Sequence, residues 1–98
     1  MDLRDLDPLV HAPVRLAIMS SLMPVEALEF TTLRDQIGTS DGNLSTHLAK
    51  LEKAGYITVR KRFVRRKPNS LYSLTELGRA AFDRHLAALE KLLHPGRV

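Results

Sequence analysis

Residues 31–55, TTLRDQIGTSDGNLSTHLAKLEKAG, hold two helix-start signals and two helix-stop signals in close succession. Thr31 and Ser40 can cap a helix with a side-chain oxygen, and Gly38 and Gly55 can end one in a left-handed residue. The pattern predicts a short helix over 32–37, a turn at Gly38-Thr39-Ser40 and a longer helix over 40–54. In the longer helix Leu44, Leu48 and Leu51 share one face, which must turn inward. At about 100° per residue the opposite face carries Gly42, Thr46, Ala49, Lys50 and Lys53, flanked by Asn43 and Ser45. A face so small, polar and basic suits a nucleic-acid groove, where amides and hydroxyls meet base edges and lysines meet phosphates. It also suits an ordinary amphipathic helix with a solvated side.

Before this core segment, residues 1–5 are polar and expected to fray. Asp7-Pro8 resembles a cap followed by proline in the first turn and His11-Ala12-Pro13 repeats that arrangement, predicting a short turn and then a helix over 13–23 that buries Val14, Ala17, Ile18 and Leu22 and stops at Pro24. Leu28-Glu29-Phe30 is a candidate short strand. After Gly55 the apolar period changes to alternation. Ile57, Val59, Lys61 and Phe63 fall on one side of a strand, with Thr58, Arg60 and Arg62 on the other. Arg65-Arg66-Lys67-Pro68-Asn69 is the expected turn, from its Pro-Asn pair, and residues 71–74 are the return strand. Thr75 then caps a helix running to about Leu93, ended by His94-Pro95-Gly96.

That last helix carries two apolar stripes, Phe82, Leu86, Leu89 and Leu93 on one side and Leu77, Ala81, Ala88 and Leu92 on the other. One stripe suffices to cover a small core. The second is expected to meet a partner, most simply the same helix of a second chain, unless one wide monomer core takes both.

The 98 residues allow one domain, taken as 1–98 with an arm over 1–12, and no cysteine is present for disulfide, thiol or cysteine-metal chemistry. No apolar run is long enough to span a bilayer, and the acidic start MDLRDLDP is unlike a leader, so a cytoplasmic protein without a membrane partner is expected. Between Glu52 and Glu76 there is no acid, but there are Lys53, Arg60, Lys61, Arg62, Arg65, Arg66 and Lys67. The whole chain is only +4, so the rest is net negative and the positive charge is gathered on one segment. A hairpin tip with cations of one sign points to a polyanion more than to a solubility device, which would mix signs. His11, His47, His85 and His94 are spread along the chain with no close ligand pair at helical spacing, so no metal and no cofactor is expected. Nor does any nucleophile–base set or phosphate-cradling glycine loop suggest an enzyme.

Helix, helix-turn-helix, cationic hairpin and closing helix resemble, in that order, the winged helix-turn-helix fold, mostly α with a small β-hairpin (α+β). Residues 6–22 (LDPLVHAPVRLAIMSSL), FTTLRDQIGTSDGNLSTHLAKLEKAGYITVRK and YSLTELGRAAF are similar to the small single-domain transcriptional regulators of the MarR and ArsR types in bacteria and archaea. The resemblance implies that residues 31–55 are the helix-turn-helix, 56–74 the wing and 75–93 a dimerisation helix. It implies groove contacts from Ser40, Gly42, Asn43, Ser45, Thr46 and Lys50, and wing contacts from Arg60, Arg62, Arg65, Arg66 and Lys67. It further implies a homodimer joined through Phe82, Leu86, Leu89 and Leu93, acting as a repressor on a roughly palindromic site in double-stranded DNA. ArsR-type metal sensing does not carry over, since its cysteine ligands are absent. The competing expectation is a winged helix used for protein contact, which would need an apolar surface on the second helix. Any effector is unknown from the sequence.

Overall fold

Leu3–Asp5 makes a 3-10 turn, not frayed chain, and leads into α1 (Pro8–His11), α2 (Pro13–Leu22), β1 (Leu28–Glu29), α3 (Phe30–Ile37), α4 (Asp41–Lys53), β2 (Ile57–Val64), β3 (Lys67–Leu74) and α5 (Glu76–Leu93). The structure, a computed structural model, describes residues 3–94 and Gly96; Met1, Asp2 and Pro95, on which two expectations rest in part, lie outside the described residues. The strands form one antiparallel sheet in the order β1-β3-β2. The expected α+β class is therefore the observed one.

Three of the predicted caps form. Asp7 Oδ1 accepts from the Leu9 and Val10 amides at 2.9 and 3.4 Å, Ser40 Oγ from Asn43 at 3.2 Å, and Thr75 Oγ1 from Gly78 at 2.9 Å. Each such cap is worth about 1 kcal/mol. Thr31 does not cap: α3 starts at Phe30, with Glu29 at the cap position and no side-chain bond to the helix. Gly38 ends α3 at φ 75°, its N–H donating to the Arg34 carbonyl at 2.8 Å. Val10, Ile18, Met19, Leu22, Leu33, Leu44, Leu48, Leu51, Ile57, Ala81 and Phe82 make the core, into which α4 sends its three leucines.

The base of the hairpin is tied to both flanking helices. Tyr56 N–H donates to the Leu51 carbonyl and Thr75 N–H to the Tyr56 carbonyl, both at 3.0 Å, while Thr75 Oγ1 donates to the Gly55 carbonyl at 2.6 Å. The first turn of α5 lies so close here that a Cβ on Gly78 would stand 2.0 Å from the Tyr56 oxygen. Only glycine fits.

This approach rotates α5 relative to expectation. Its buried line is Gly78, Ala81, Phe82, His85 and Ala88, which runs between the two predicted stripes and draws from both. Phe82, expected at a dimer interface, is instead a core residue at 5% exposure, Leu89 is half-buried, and Leu77, Leu86, Leu92 and Leu93 are exposed.

The hairpin turn is also shorter than expected. Arg65 and Arg66 alone form it, at φ 52° and 66°, and strand pairing resumes at Val64↔Lys67, Phe63↔Pro68 and Arg62↔Asn69. Pro68 is tolerated because its pair with Phe63, next to the two-residue turn, needs no hydrogen bond, and β1 reaches β3 only at Leu71 and Tyr72.

A polar cluster fastens the arm to α5. The Asp7 amide donates to His85 Nδ1 at 3.2 Å, and Tyr56 OH donates to Asp7 Oδ2 at 3.0 Å. Because His85 Nδ1 accepts, its proton sits on Nε2, which donates to His11 Nδ1 at 3.2 Å. The sequence offers no close histidine ligand pair at helical spacing, yet the fold brings His11 and His85, far apart in the chain, into contact. Among the described residues no group of three or more His, Cys, Asp or Glu could hold a metal ion.

Burial, then the neighbouring His11, depress the His85 pKa below the ordinary 6.5, against a smaller upward pull from Asp7. The unfolded chain therefore takes up the proton first, so this contribution to stability is full above pH 6.5 and is lost as pH falls through the depressed folded value. Thermal melts between pH 7 and 5 should show Tm falling with pH in the native chain. In His85→Leu the fall should flatten, on a stability about 1–3 kcal/mol lower at pH 7 because the Asp7 amide loses its acceptor.

Candidate nucleic-acid interface

On α4 the predicted outward residues Gly42, Asn43, Ser45, Thr46, Ala49, Lys50 and Lys53 are all exposed, as are the acidic Asp41 and Glu52. Several are held in place. Asn43 Nδ2 donates to Thr39 Oγ1 at 2.8 Å, and Thr46 Oγ1 donates back to the Gly42 carbonyl at 2.9 Å. Arg34 on α3 forms ion pairs with Asp35 and Asp41, both at 3.1 Å, tying the turn of the helix pair together. Those carboxylates raise the Arg34 pKa. Gly42 has nothing within 4 Å of where a Cβ would stand, so the packing of the fold does not require glycine there.

The α4 surface continues onto the hairpin. Ser45, Ala49 and Glu52 form one wall of a groove of about 160 Å³, and Val59, Lys61 and Tyr72 form the other. Strand alternation then puts Lys61 and Phe63 on the sheet face that looks toward α4. Thr58, Arg60 and Arg62 occupy the reverse face: Arg60 lines a hollow with Glu26 and Ala27, and Arg62 donates to Asn69 Oδ1 at 2.9 Å and to Glu29 Oε1 at 3.2 Å. The structure thus divides the expected wing residues: Arg60 and Arg62 are turned from α4, Arg65 and Arg66 form the exposed tip, and Lys67, paired with Val64 on the face of Arg62, is exposed beside it. Lys61 takes the place expected of its two neighbours.

Apart from Arg62, none of the wing cations forms an ion pair among the described residues. Two arginines in the left-handed region cost about 1–2 kcal/mol each, where Asn-Gly would turn the chain more easily. The tip is therefore charged at some expense of folding free energy.

Arg15 carries no sequence signal, being one cation in an apolar helix. Its Nε donates to the Leu9 carbonyl at 2.6 Å and its Nη1 to His47 Nδ1 at 2.9 Å, so it joins the arm to α4. His47 is half-buried, and burial, Arg15 and Lys50 in that order lower its pKa. It packs as a neutral ring and adds no charge to the surface near pH 7.

Comparison with known proteins follows this geometry. The family model described as a winged helix DNA-binding domain matches residues 14–93. An uncharacterized protein, MJ0432, of Methanocaldococcus jannaschii is 30% identical over 82 residues, spanning 84% of this chain and 89% of that one. A transcriptional regulator homologue from Pyrococcus horikoshii OT3 superposes with a TM-score of 0.81 at 28% identity, over 87% of this chain and 84% of the other. A putative MarR-family transcriptional regulator from Enterococcus faecalis V583 gives a TM-score of 0.70 at 26% identity, over 90% and 76%. The chain belongs to the family of winged helix DNA-binding domains, with the architecture of transcriptional regulators.

Proposed function

We propose that the protein is a sequence-specific transcriptional regulator that binds a roughly palindromic operator as a homodimer and represses by occupying the promoter. One observation carries the reading: a small, polar, exposed α4 face is continuous with a hairpin whose tip cations have no acidic partner among the described residues. Ser40, Gly42, Asn43, Ser45, Thr46 and Lys50 read or flank the major groove, and Lys61, Arg65, Arg66 and Lys67 follow the phosphates. No bulky apolar group stands on that α4 face, which disfavours a protein-contact module. The protein works where DNA is, in the cytoplasm; among the described residues no helix is long and apolar enough to cross a membrane.

Exposed Leu86, Leu92 and Leu93 on α5, with Leu3 of the arm at 71%, support self-association. A two-fold axis there would set two α4 helices about 34 Å apart, one per successive major groove.

With about 3 to 5 phosphate contacts per chain, affinity should fall by roughly 10³ to 10⁵ between 50 and 200 mM salt. Alanine at Arg65, Arg66 and Lys67 together should weaken binding to every sequence and flatten that dependence, whereas Asn43→Ala or Thr46→Ala should change the preferred sequence at about 1–3 kcal/mol per base contact. Binding isotherms across salt, on fragments selected from random DNA, read both; indifference to salt would reject the reading.

Gly42→Ala separates folding from binding. It should stabilise the chain by up to about 1 kcal/mol in denaturant titration while weakening operator binding, since the added methyl meets only DNA. For the assembly, Leu86→Glu with Leu93→Glu should give a folded monomer by sedimentation and a large loss of operator affinity. An unchanged dimer would move the interface off α5.

A further inference from the structure

Two large apolar side chains stand exposed on the hairpin, away from the leucines of α5: Phe63 at 77% and Val64 at 40%. Neither belongs to the core cluster. Phe63 faces Pro68 across the strands, and such a non-hydrogen-bonded pair brings side chains close, so the two make one apolar plate beside the turn. The plate sits between cations: Lys61 lies two residues before Phe63 on the same face, and Arg65 and Arg66 lie just beyond it, while Val64 and Lys67 pair on the other face. Charge complementarity therefore selects a polyanion that also offers carbon. A DNA backbone does so, because deoxyribose carbons line the walls of the minor groove between charged phosphates.

Reach agrees with this. Val59 lies beside α4, and four residues at about 3.3 Å each bring Phe63 roughly 13 Å outward, with the tip arginines at about 20 Å. The next minor groove is centred about 17 Å from the major groove holding α4, half of a helical turn. Phe63 then falls on the sugar–phosphate strand between the two grooves, and Arg65 and Arg66 fall over the minor groove itself.

We propose that Phe63, backed by Pro68, is a DNA-contacting residue that packs on the deoxyribose wall of the minor groove adjoining the recognition helix, an apolar contact set between phosphate contacts. The inference rests on the proposed DNA-binding function and adds a contact class that charge does not supply. Its signature is insensitivity to salt. Counterion release accompanies the contacts of Lys61 and the tip arginines, not that of Phe63.

The test measures affinity for a selected duplex by fluorescence anisotropy from 50 to 200 mM salt, in the native chain, Phe63→Ala, Phe63→Leu and Arg65→Ala. Phe63→Ala should weaken binding about tenfold at every salt concentration, giving a line parallel to the native one. Phe63→Leu should keep most of the affinity, and Arg65→Ala should lower the log–log slope by about 1.8, one phosphate contact being lost in each chain of the dimer. Melting temperature should not change in Phe63→Ala, since the side chain is exposed. Affinity within twofold of native in Phe63→Ala, or a change of slope, overturns the inference while leaving the DNA-binding reading intact. Native protein that fails to bind any duplex overturns both. Loss in Phe63→Ala of binding to vesicles of phosphatidylglycerol and phosphatidylcholine, with DNA affinity unaltered, would assign the plate to a lipid surface and overturn it as well.

Discussion

The seam at Gly55, Tyr56, Thr75 and Gly78 governs the arrangement of everything else. Within four residues of chain on each side it joins the end of α4, both feet of the hairpin and the start of α5. Three short hydrogen bonds fix the backbone, and the missing Cβ of Gly78 allows the helix to seat against the Tyr56 carbonyl. The β2–β3 hairpin owes its angle to α4 to this seat and not to its own two strands, since an isolated two-stranded hairpin is marginal in water. Tyr56 also reaches Asp7, so the arm is referred to the same point.

Local signals were legible wherever one side chain settles its own backbone. Ser40, Thr75 and Asp7 cap where their chemistry says they should, and Gly38 stops α3 by a left-handed residue. Thr31 fails because β1 carries the chain directly into α3, leaving Glu29 to pair with Arg62. The hairpin turn misleads because Pro68-Asn69 carries a strong turn signal yet sits where a strand can bear it, while the true turn uses arginines in an unusual conformation.

The faces of α5 were hidden for a different reason. Counting apolar residues discards Gly78 and His85, and those two define which way the helix turns. Glycine is buried there for closeness, and histidine because the Asp7 amide and His11 satisfy both its ring nitrogens. Likewise, total charge on the hairpin was plain from the sequence, but its division between two sheet faces needed the strand register. Arg62 serves Glu29 and Asn69; Lys61, one residue away, looks toward α4.

Arg15 has a consequence for communication across the molecule. A single guanidinium grips the arm's Leu9 carbonyl with one nitrogen and the His47 ring of α4 with another. Because one planar fork spans both partners, a displacement of the arm is passed to α4 through this single side chain, and the two elements move as one body.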